Sequence, residues 1–299
     1  MAVAAPVPTL AFFDIGANLL SGQYDGFYNG RTTRSHASDL ASVLARADAA
    51  RVREVIITAG SLSEARDALA LARSLNASGL YAVRLYSTVG VHPTRTNELG
   101  VVEEGGDGGG GGSGVGDDSD VSGPVAGTGC CGDDAASTAA AAPAAPALAL
   151  DKASYVAALD AVIADGLRDG TVVAVGECGL DYDRTAFASA ATQRAHLELH
   201  WELAARHGLP LFLHDRASRG DLAAAALRLR AAHAGLRGGV VHSFTGSMEE
   251  MHACLAAGLD IGVNGCSLKT QEGVAVAAAV PLARLHLETD APWCEVKRR

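Results

Sequence analysis

Four residues that can bind a metal ion each follow a short apolar run in the second half of the chain. They are Glu177, His214, His242 and Asp290, and the runs before them are typical of buried β-strands. The gaps between the four correspond to about one, one and two strand–helix units, if a unit has roughly 30 residues or somewhat more. Parallel strands of an α/β barrel all end at the same face, where such barrels hold their catalytic groups. The spacing therefore predicts that the four side chains converge.

The strand before Glu177 indicates that this carboxylate is not an ordinary surface acid. Val172 to Val175 is apolar and bounded by glycines, which is typical of a parallel strand covered on both faces. We expect Glu177 at the end of this strand, where its loop begins. The alternative is that the four residues are buried polar groups satisfied within the barrel. Four ligand types at four strand ends make a functional site the stronger interpretation.

The elements that must position these residues alternate between strand and helix patterns. Strands are predicted at 11–18, 53–60, 85–93, 172–177, 209–214, 238–242, 260–265 and 285–289, and helices at 38–50, 152–167, 193–207, 221–230 and 248–257. A further helix begins after Ser61, which Glu64 supports as a capping box. Eight parallel strands separated by helices predict a (β/α)8 TIM barrel within the α/β class.

One segment departs from this pattern. Residues 100–147 are rich in Gly, Ala and Asp, so we predict a disordered insertion within a barrel domain of residues 11–299. A glycine-rich phosphate loop is the alternative, but it needs a strand before it and a helix start with Lys and Ser or Thr after it, and the sequence has neither. The insertion follows the third strand and should emerge on the face of the metal site, either as an inert loop or as an acidic chain that repels DNA.

Composition and charge narrow the class of protein. The chain has 299 residues, 48% of them hydrophobic, and six scattered cysteines, which we interpret as reduced thiols in a nuclear or cytoplasmic protein. The apolar runs are too short to span a bilayer.

Most of the negative charge lies in one segment. Residues 101–150 hold eight acidic and no basic residues, so the formal charge of the chain changes from −10 to −2 without them. A near-neutral body suits single-stranded DNA or DNA ends better than tight duplex binding.

Three further histidines were considered as ligands. His92 ends the third predicted strand before Pro93, where a site role and a structural role are equally well supported. His196 and His200 are four residues apart on one predicted helix and could face one metal. A zinc-protease helix has Glu directly after its first histidine, whereas this chain has Leu197. We therefore interpret this pair as exposed helix histidines.

Seven motifs in order carry a resemblance to a known family. They are FDIGAN at 13–18, VGVHP at 89–93, VGECGLD at 175–181, FLH at 212–214, VHSF at 241–244, NGCSLKT at 264–270 and ETDAPWC at 288–294. With them the chain resembles the TatD-related metal-dependent deoxyribonucleases, most of all the eukaryotic TatD DNase domain-containing branch. The resemblance implies a TIM barrel of the metallo-dependent hydrolase superfamily that cleaves DNA phosphodiester bonds by metal-activated water.

The resemblance also implies roles for the four residues. Glu177 would bridge two metals, His214 and His242 would each bind one, and Asp290 would bind metal and orient or deprotonate the attacking water. Two cations a few ångströms apart stabilise both the attacking and the leaving oxygens of an in-line displacement. The expected cofactors are divalent cations, with Mg²⁺ favoured and Mn²⁺ or Zn²⁺ as alternatives. The expected partner is DNA, without a membrane, and the complete protein is expected to be a monomer.

Two further residues match the family less closely, and three positions differ from its usual pattern. The resemblance implies that His92 and Lys269 lie near the scissile phosphate. His92 would also take part in catalysis. Gly16 and Asn18 stand where many members of the wider superfamily have a His-x-His pair, so one metal would bind weakly and Mg²⁺ would be favoured over Zn²⁺. Asp215 stands where the branch usually has Cys, and it would either raise the basicity of the neighbouring imidazole or repel phosphate.

Two other functions are compatible with the sequence. The chain could instead hydrolyse esters or amides, such as aminoacyl-tRNA, or could be a catalytically silent nucleic-acid-binding protein. Exonuclease and endonuclease action are both compatible with these residues.

Arg299 follows soon after the eighth strand, so we expect a barrel truncated there, with an exposed face around Leu285 and Leu287 that lowers stability or promotes self-association.

Overall fold

The structure is a computed structural model that describes residues 10–29, 31–100, 150–233 and 235–295. The predicted insertion at 100–147 lies outside the described residues except for Gly100. Within the described ranges, no helix combines the length and the apolar character that a membrane span requires.

The described residues form one sheet of eight strands in the order of the sequence. The strands are β1 (Phe12–Ala17), β2 (Val52–Ile57), β3 (Arg84–Val89), β4 (Val172–Asp181), β5 (Leu211–Arg216), β6 (Gly239–Val241), β7 (Leu259–Val263) and β8 (Leu285–Leu287). Every neighbouring pair is parallel. The ring closes through backbone hydrogen bonds from Asp290 to Gly16 and from Asn18 to Ala291, each 2.8 Å long. The predicted (β/α)8 barrel is confirmed.

Helices follow the strands and cover the outside of the sheet. They are α1 (Leu40–Ala49), α2 (Leu62–Ser78), α3 (Lys152–Leu167), α4 (Ala190–His207), α5 (Asp221–Ala232), α6 (Met248–Ala256) and α7 (Gln271–Ala279). Short 3-10 helices lie at Gly22–Asp25, Pro93–Leu99, Tyr182–Arg184 and Leu282–Arg284.

The alternation of side chains along each strand divides the core in two. Ile57 faces the helices and is fully buried in the main cluster, whereas Ile56 points into the barrel and packs with Ile15, Ala174 and Phe212. This small inner cluster fills the barrel below its carboxyl-terminal end. It therefore leaves that end to polar residues.

Strand β4 is longer than the sequence predicts. Its pairing with β5 continues past Glu177, with Gly179 beside His214 and Asp181 beside Arg216. Glu177 thus lies within the strand rather than at its end, because β5 continues alongside and supplies backbone partners there. The expectation of a loop directly after Glu177 was wrong by four residues.

The first turn of α2 also differs from the prediction. Ser61 caps α2 as predicted, accepting a hydrogen bond from the Glu64 backbone N–H at 3.2 Å. The Glu64 carboxylate, however, accepts from the Gly60 N–H at 2.8 Å instead of the Ser61 N–H, so the reciprocal capping box does not form. A complete capping box is present at the start of α6, between Ser247 and Glu250.

Candidate active site

Three histidines from three strand ends surround one carboxylate oxygen. Oε1 of Glu177 lies 2.8 Å from Nε2 of His242, 2.9 Å from Nδ1 of His214 and 3.4 Å from Nε2 of His92. The rings of His92 and His214 meet edge to face, with centroids 4.6 Å apart. All four side chains are at least four-fifths buried. The structure therefore brings together three of the four predicted metal ligands and adds His92 to them.

Two buried carboxylates lie behind these histidines. Asp181 Oδ2 is 3.4 Å from Nε2 of His214, and Glu288 Oε2 is 3.5 Å from Nδ1 of His242. Glu288 also accepts a hydrogen bond from the backbone N–H of Ser243. Sequence reasoning gave neither carboxylate a role, although both belong to the quoted motifs. An acid after a predicted strand is easily taken for a loop residue, and only the continued pairing of β4 places Asp181 inside.

Asp290 lies at the same end of the barrel, in the segment that follows β8. Its Oδ1 accepts a hydrogen bond from Asn18 Nδ2 at 2.7 Å, and Thr58 Oγ1 donates to Asn18 Oδ1 at 2.8 Å. Its Oδ2 lies 3.3 Å from Sγ of Cys294. Burial raises the pKa of Asp290 to about 7, although the positive charge of His242 opposes this. Asn18 thus orients this carboxylate.

The pKa values of Glu177 and His92 move in the directions expected of a shared site. Burial by itself would raise the pKa of Glu177, but the charge on His242 and the hydrogen bond from His214 outweigh it, and the pKa lies well below its usual range. Burial lowers the pKa of His92 to about 4, so this imidazole is neutral near pH 7. A neutral imidazole has a lone pair available for a cation.

The other two histidines carry protons unless a cation replaces them. Burial would lower the pKa of His214, but contacts with Asp181 and Glu177 raise it to about 9. Burial also opposes protonation of His242, whose pKa the charges of Glu177 and Glu288 raise well above its usual value. The buried carboxylates therefore require positive charge at this place, as protons on imidazoles or as a metal ion.

The donor set fits a divalent cation. His92, Glu177 and His214 each offer a ligand atom, and these atoms lie within 4.8 Å of one another. Several buried polar atoms nearby make no hydrogen bond within the described part of the chain: Nε2 of His214, Nδ1 of His242, Oε2 of Glu288 and both side-chain oxygens of Asp181. Buried polar atoms without partners are rare unless an unseen ion or water satisfies them. Imidazole nitrogens with carboxylate oxygens suit Mg²⁺, Mn²⁺ or Zn²⁺.

Other residues singled out from the sequence lie elsewhere. Lys269 is exposed on the loop between β7 and α7. His196 and His200 are buried rather than exposed as predicted, because their helix faces the barrel, and each binds the backbone: Nε2 of His196 binds Gly100 O at 2.7 Å, and Nε2 of His200 accepts from Val91 N at 3.0 Å.

Asp215 does not share the site with His214. Successive side chains of a strand point to opposite faces, so Asp215 on β5 faces the helices. Ser218 and Glu250 contribute to its pKa there. Burial raises its pKa to about 6. Direct repulsion of a phosphate by this carboxylate is therefore not supported by the geometry.

Two glycines allow the strands to approach at the site. A Cβ atom on Gly90 would lie 2.5 Å from the backbone of Gly176, next to Glu177. A Cβ atom on Gly16 would lie 2.7 Å from Oε2 of Glu288. A ligand side chain at position 16 would therefore have to displace the Glu288 carboxylate.

Fold and donor set together define a class, the α/β-barrel hydrolases that use divalent metals. The chain matches the family model described as TatD related DNase over residues 13–299. It is 34% identical over 291 residues to "Deoxyribonuclease Tat-D" of Schizosaccharomyces pombe, covering 97% of this chain and 75% of that protein. It belongs to the TatD-related DNase family.

Further relatives agree with this assignment. The chain is 32% identical over 286 residues to "3'-5' ssDNA/RNA exonuclease TatD" of Edwardsiella piscicida, covering 94% of this chain and 79% of that protein. The crystal structure of a hydrolase TatD family protein from Entamoeba histolytica has a TM-score of 0.71 and 32% identity, covering 97% of this chain and 77% of that one. The resemblance inferred from the seven motifs is thus confirmed.

Proposed function

We propose that this protein hydrolyses phosphodiester bonds of DNA with divalent cations held around Glu177. The observation that carries the proposal is the convergence of His92, His214 and His242 on one oxygen of this carboxylate, at 2.8 to 3.4 Å. Three imidazoles that meet a buried acid, with their pKa values shifted by burial and by this acid, are typical of a functional site. Family membership supplies the reaction class.

The residues of the proposed site have different roles. Glu177, His214, His242 and Asp290 hold the cations, and His92 joins them or contacts the phosphate. When bound, divalent cations polarise the phosphoryl group and stabilise the charge that develops on the attacking and leaving oxygens. Asp290 is oriented by its hydrogen bond from Asn18, and its Oδ2 receives the proton of the attacking water.

The buried oxygens favour Mg²⁺ as the working ion, with Mn²⁺ or Zn²⁺ as alternatives. Glu177 and Asp290 add hard oxygen donors to the imidazoles, and magnesium prefers such ligands. Position 16 offers no imidazole, which removes a ligand that would favour zinc. Turnover of metal-stripped protein with each ion in turn, together with elemental analysis of the purified protein, tests this order.

Single-stranded DNA and DNA ends are the proposed substrates. The relative from Edwardsiella piscicida is named a single-stranded DNA and RNA exonuclease. The body of this chain outside residues 101–150 carries a formal charge of only −2, without the basic excess of a tight duplex binder. Lys269, exposed on the loop between β7 and α7, is the proposed phosphate contact. The thiol state of Cys178, Cys254, Cys266 and Cys294 supports a nuclear or cytoplasmic location.

Two isosteric substitutions test the site. Glu177→Gln and Asp290→Asn each remove a charge without changing shape, and we expect nuclease turnover to fall by about a thousandfold or more. Asp183→Asn is the matched control, because this exposed acid follows β4 and pairs with Arg216. Thermal melts should show all three variants folded.

The outcomes separate the competing functions. Near-wild-type turnover of either variant on labelled single-stranded DNA at low-millimolar Mg²⁺ would refute the proposed site. Aminoacyl-tRNA in a parallel assay tests the ester hydrolase alternative. DNA binding without any metal-stimulated cleavage would identify a silent binding protein.

A further inference from the structure

Two cysteines meet beside the proposed site. Cys266 lies in the loop after β7 and Cys294 in the segment after β8, and their sulfur atoms are 2.8 Å apart. Both are in the thiol form. Cys266 is 3% exposed, whereas Cys294 is partly open to solvent. The pair therefore combines a sheltered sulfur with one that a small oxidant can reach.

Hydrogen bonds hold the two loops so that the sulfurs face each other. The backbone N–H of Cys266 donates to Asn264 Oδ1 at 2.8 Å, and Asn264 Nδ2 donates to Ser243 Oγ at 2.8 Å. On the other side, the N–H of Trp293 donates to the carbonyl of Asp290 at 2.9 Å. Both cysteines are thus fixed to the carboxyl-terminal end of the barrel. The sulfurs, 2.8 Å apart, are within about 1 Å of the 2.05 Å length of a disulfide bond.

One sulfur also contacts Asp290. Sγ of Cys294 lies 3.3 Å from Oδ2, so its S–H can donate to this oxygen while Asn18 donates to the other. Within the described ranges, the thiol and Asn18 are therefore the two side-chain donors to the Asp290 carboxylate. Any reaction that removes the thiol hydrogen removes this donor.

We propose that Cys266 and Cys294 form a redox modification site, at which a hydroperoxide converts the two thiols reversibly to a disulfide. The Cys294 thiolate attacks the peroxide oxygen, which breaks the O–O bond, forms a sulfenic acid and releases one water after proton transfer. The Cys266 sulfur then attacks the sulfenic sulfur and displaces its oxygen as a second water. The two thiols lose two electrons and two protons, and hydrogen peroxide is reduced to two waters.

The disulfide has a consequence for turnover that rests on the proposed function. In the oxidised state the Cys294 sulfur has no hydrogen to donate, so the Asp290 carboxylate loses this donor and keeps the one from Asn18. We expect kcat to fall several-fold, with full recovery after reduction by dithiothreitol. The bond itself is independent of the nuclease assignment.

The experiment treats the full chain with hydrogen peroxide, in a background with Cys130→Ala and Cys131→Ala. Remaining thiols are alkylated, and a non-reducing digest is examined by mass spectrometry for a peptide that joins Cys266 to Cys294 with the loss of two hydrogens. The bond should also raise the melting temperature by several degrees, because it closes a loop in the unfolded chain.

Two variants keep the result interpretable. Cys266→Ser removes the bond, so its basal turnover should be kept while no peptide should join positions 266 and 294 after peroxide treatment. Cys254→Ala is the control, because this thiol is buried on α6 away from the pair. It should cross-link as the parent does.

Each outcome decides a different claim. Recovery of both cysteines in alkylated form, at peroxide concentrations that oxidise glutathione, would overturn the modification site. A cross-link without change in kcat would overturn the coupling to Asp290. Absence of nuclease activity before oxidation would refute the proposed function, and the mass measurement would still test the bond.

Discussion

Acid should destabilise this protein through His200, a buried residue of α4. Its Nε2 accepts a hydrogen bond from the Val91 N–H at 3.0 Å, and its Nδ1 lies 2.7 Å from the carbonyl oxygen of His196. The first contact requires an unprotonated Nε2, so the second nitrogen carries the hydrogen. Protonation would place two N–H groups against each other. Burial lowers the pKa of His200 to about 4, with a further contribution from the charge of His196.

The size of the effect follows from linkage. The folded pKa of about 4 lies below the unfolded value of 6.5. Between these values the unfolded chain binds more protons, so stability falls as the pH drops through 6.5 and the loss levels off below 4. At about 1.4 kcal/mol per pKa unit, the complete loss is about 3 kcal/mol, and about 2 kcal/mol is already lost at pH 5.

Urea unfolding between pH 7.5 and pH 5 measures this directly. Other groups also titrate, so the test compares the wild type with His200→Gln, whose amide oxygen can still accept from Val91. The wild type should lose about 2 kcal/mol more than the variant across this range. His252→Gln is the control, because this histidine is exposed on α6. Parallel stability curves for the wild type and His200→Gln would refute the assignment of the acid effect to this residue.

Three further predictions concern folding and substrate affinity. Gly90→Ala should cost on the order of 3 kcal/mol or more, because its Cβ would lie 2.5 Å from the Gly176 backbone; an unchanged urea midpoint would contradict this. Ser247→Ala should cost about 1 kcal/mol, because it removes the acceptor for the Glu250 N–H, and a melt unchanged from the wild type would count against the cap. Deletion of 105–142 should lower KM for DNA modestly at low salt, with a difference that shrinks as salt rises; equal KM values at every salt concentration would leave an inert loop.

Local sequence patterns were sufficient for the fold, and they predicted most of the residues that meet at the candidate site. Each strand is a short apolar run that ends near a polar residue, and hydrophobic periodicity is a property of neighbouring residues that needs no tertiary information. The same runs placed Glu177, His214 and His242 at one end of the barrel before any distance was known. Only the structure shows that Gly16 and Gly90 face the Glu288 carboxylate and the Gly176 backbone.

Tertiary structure decided what no local pattern contains. Which residues share one carboxylate oxygen depends on strand register, and β4 and β5 pair far enough to bring Asp181 behind His214. The burial of His200 depends on the face that α4 turns to the barrel, and both faces of that helix contain polar residues. Cys266 and Cys294 are 28 residues apart and meet only because β7 and β8 are neighbours. The sequence by itself determined the residue types and the barrel, and closure of the barrel determined which of them touch.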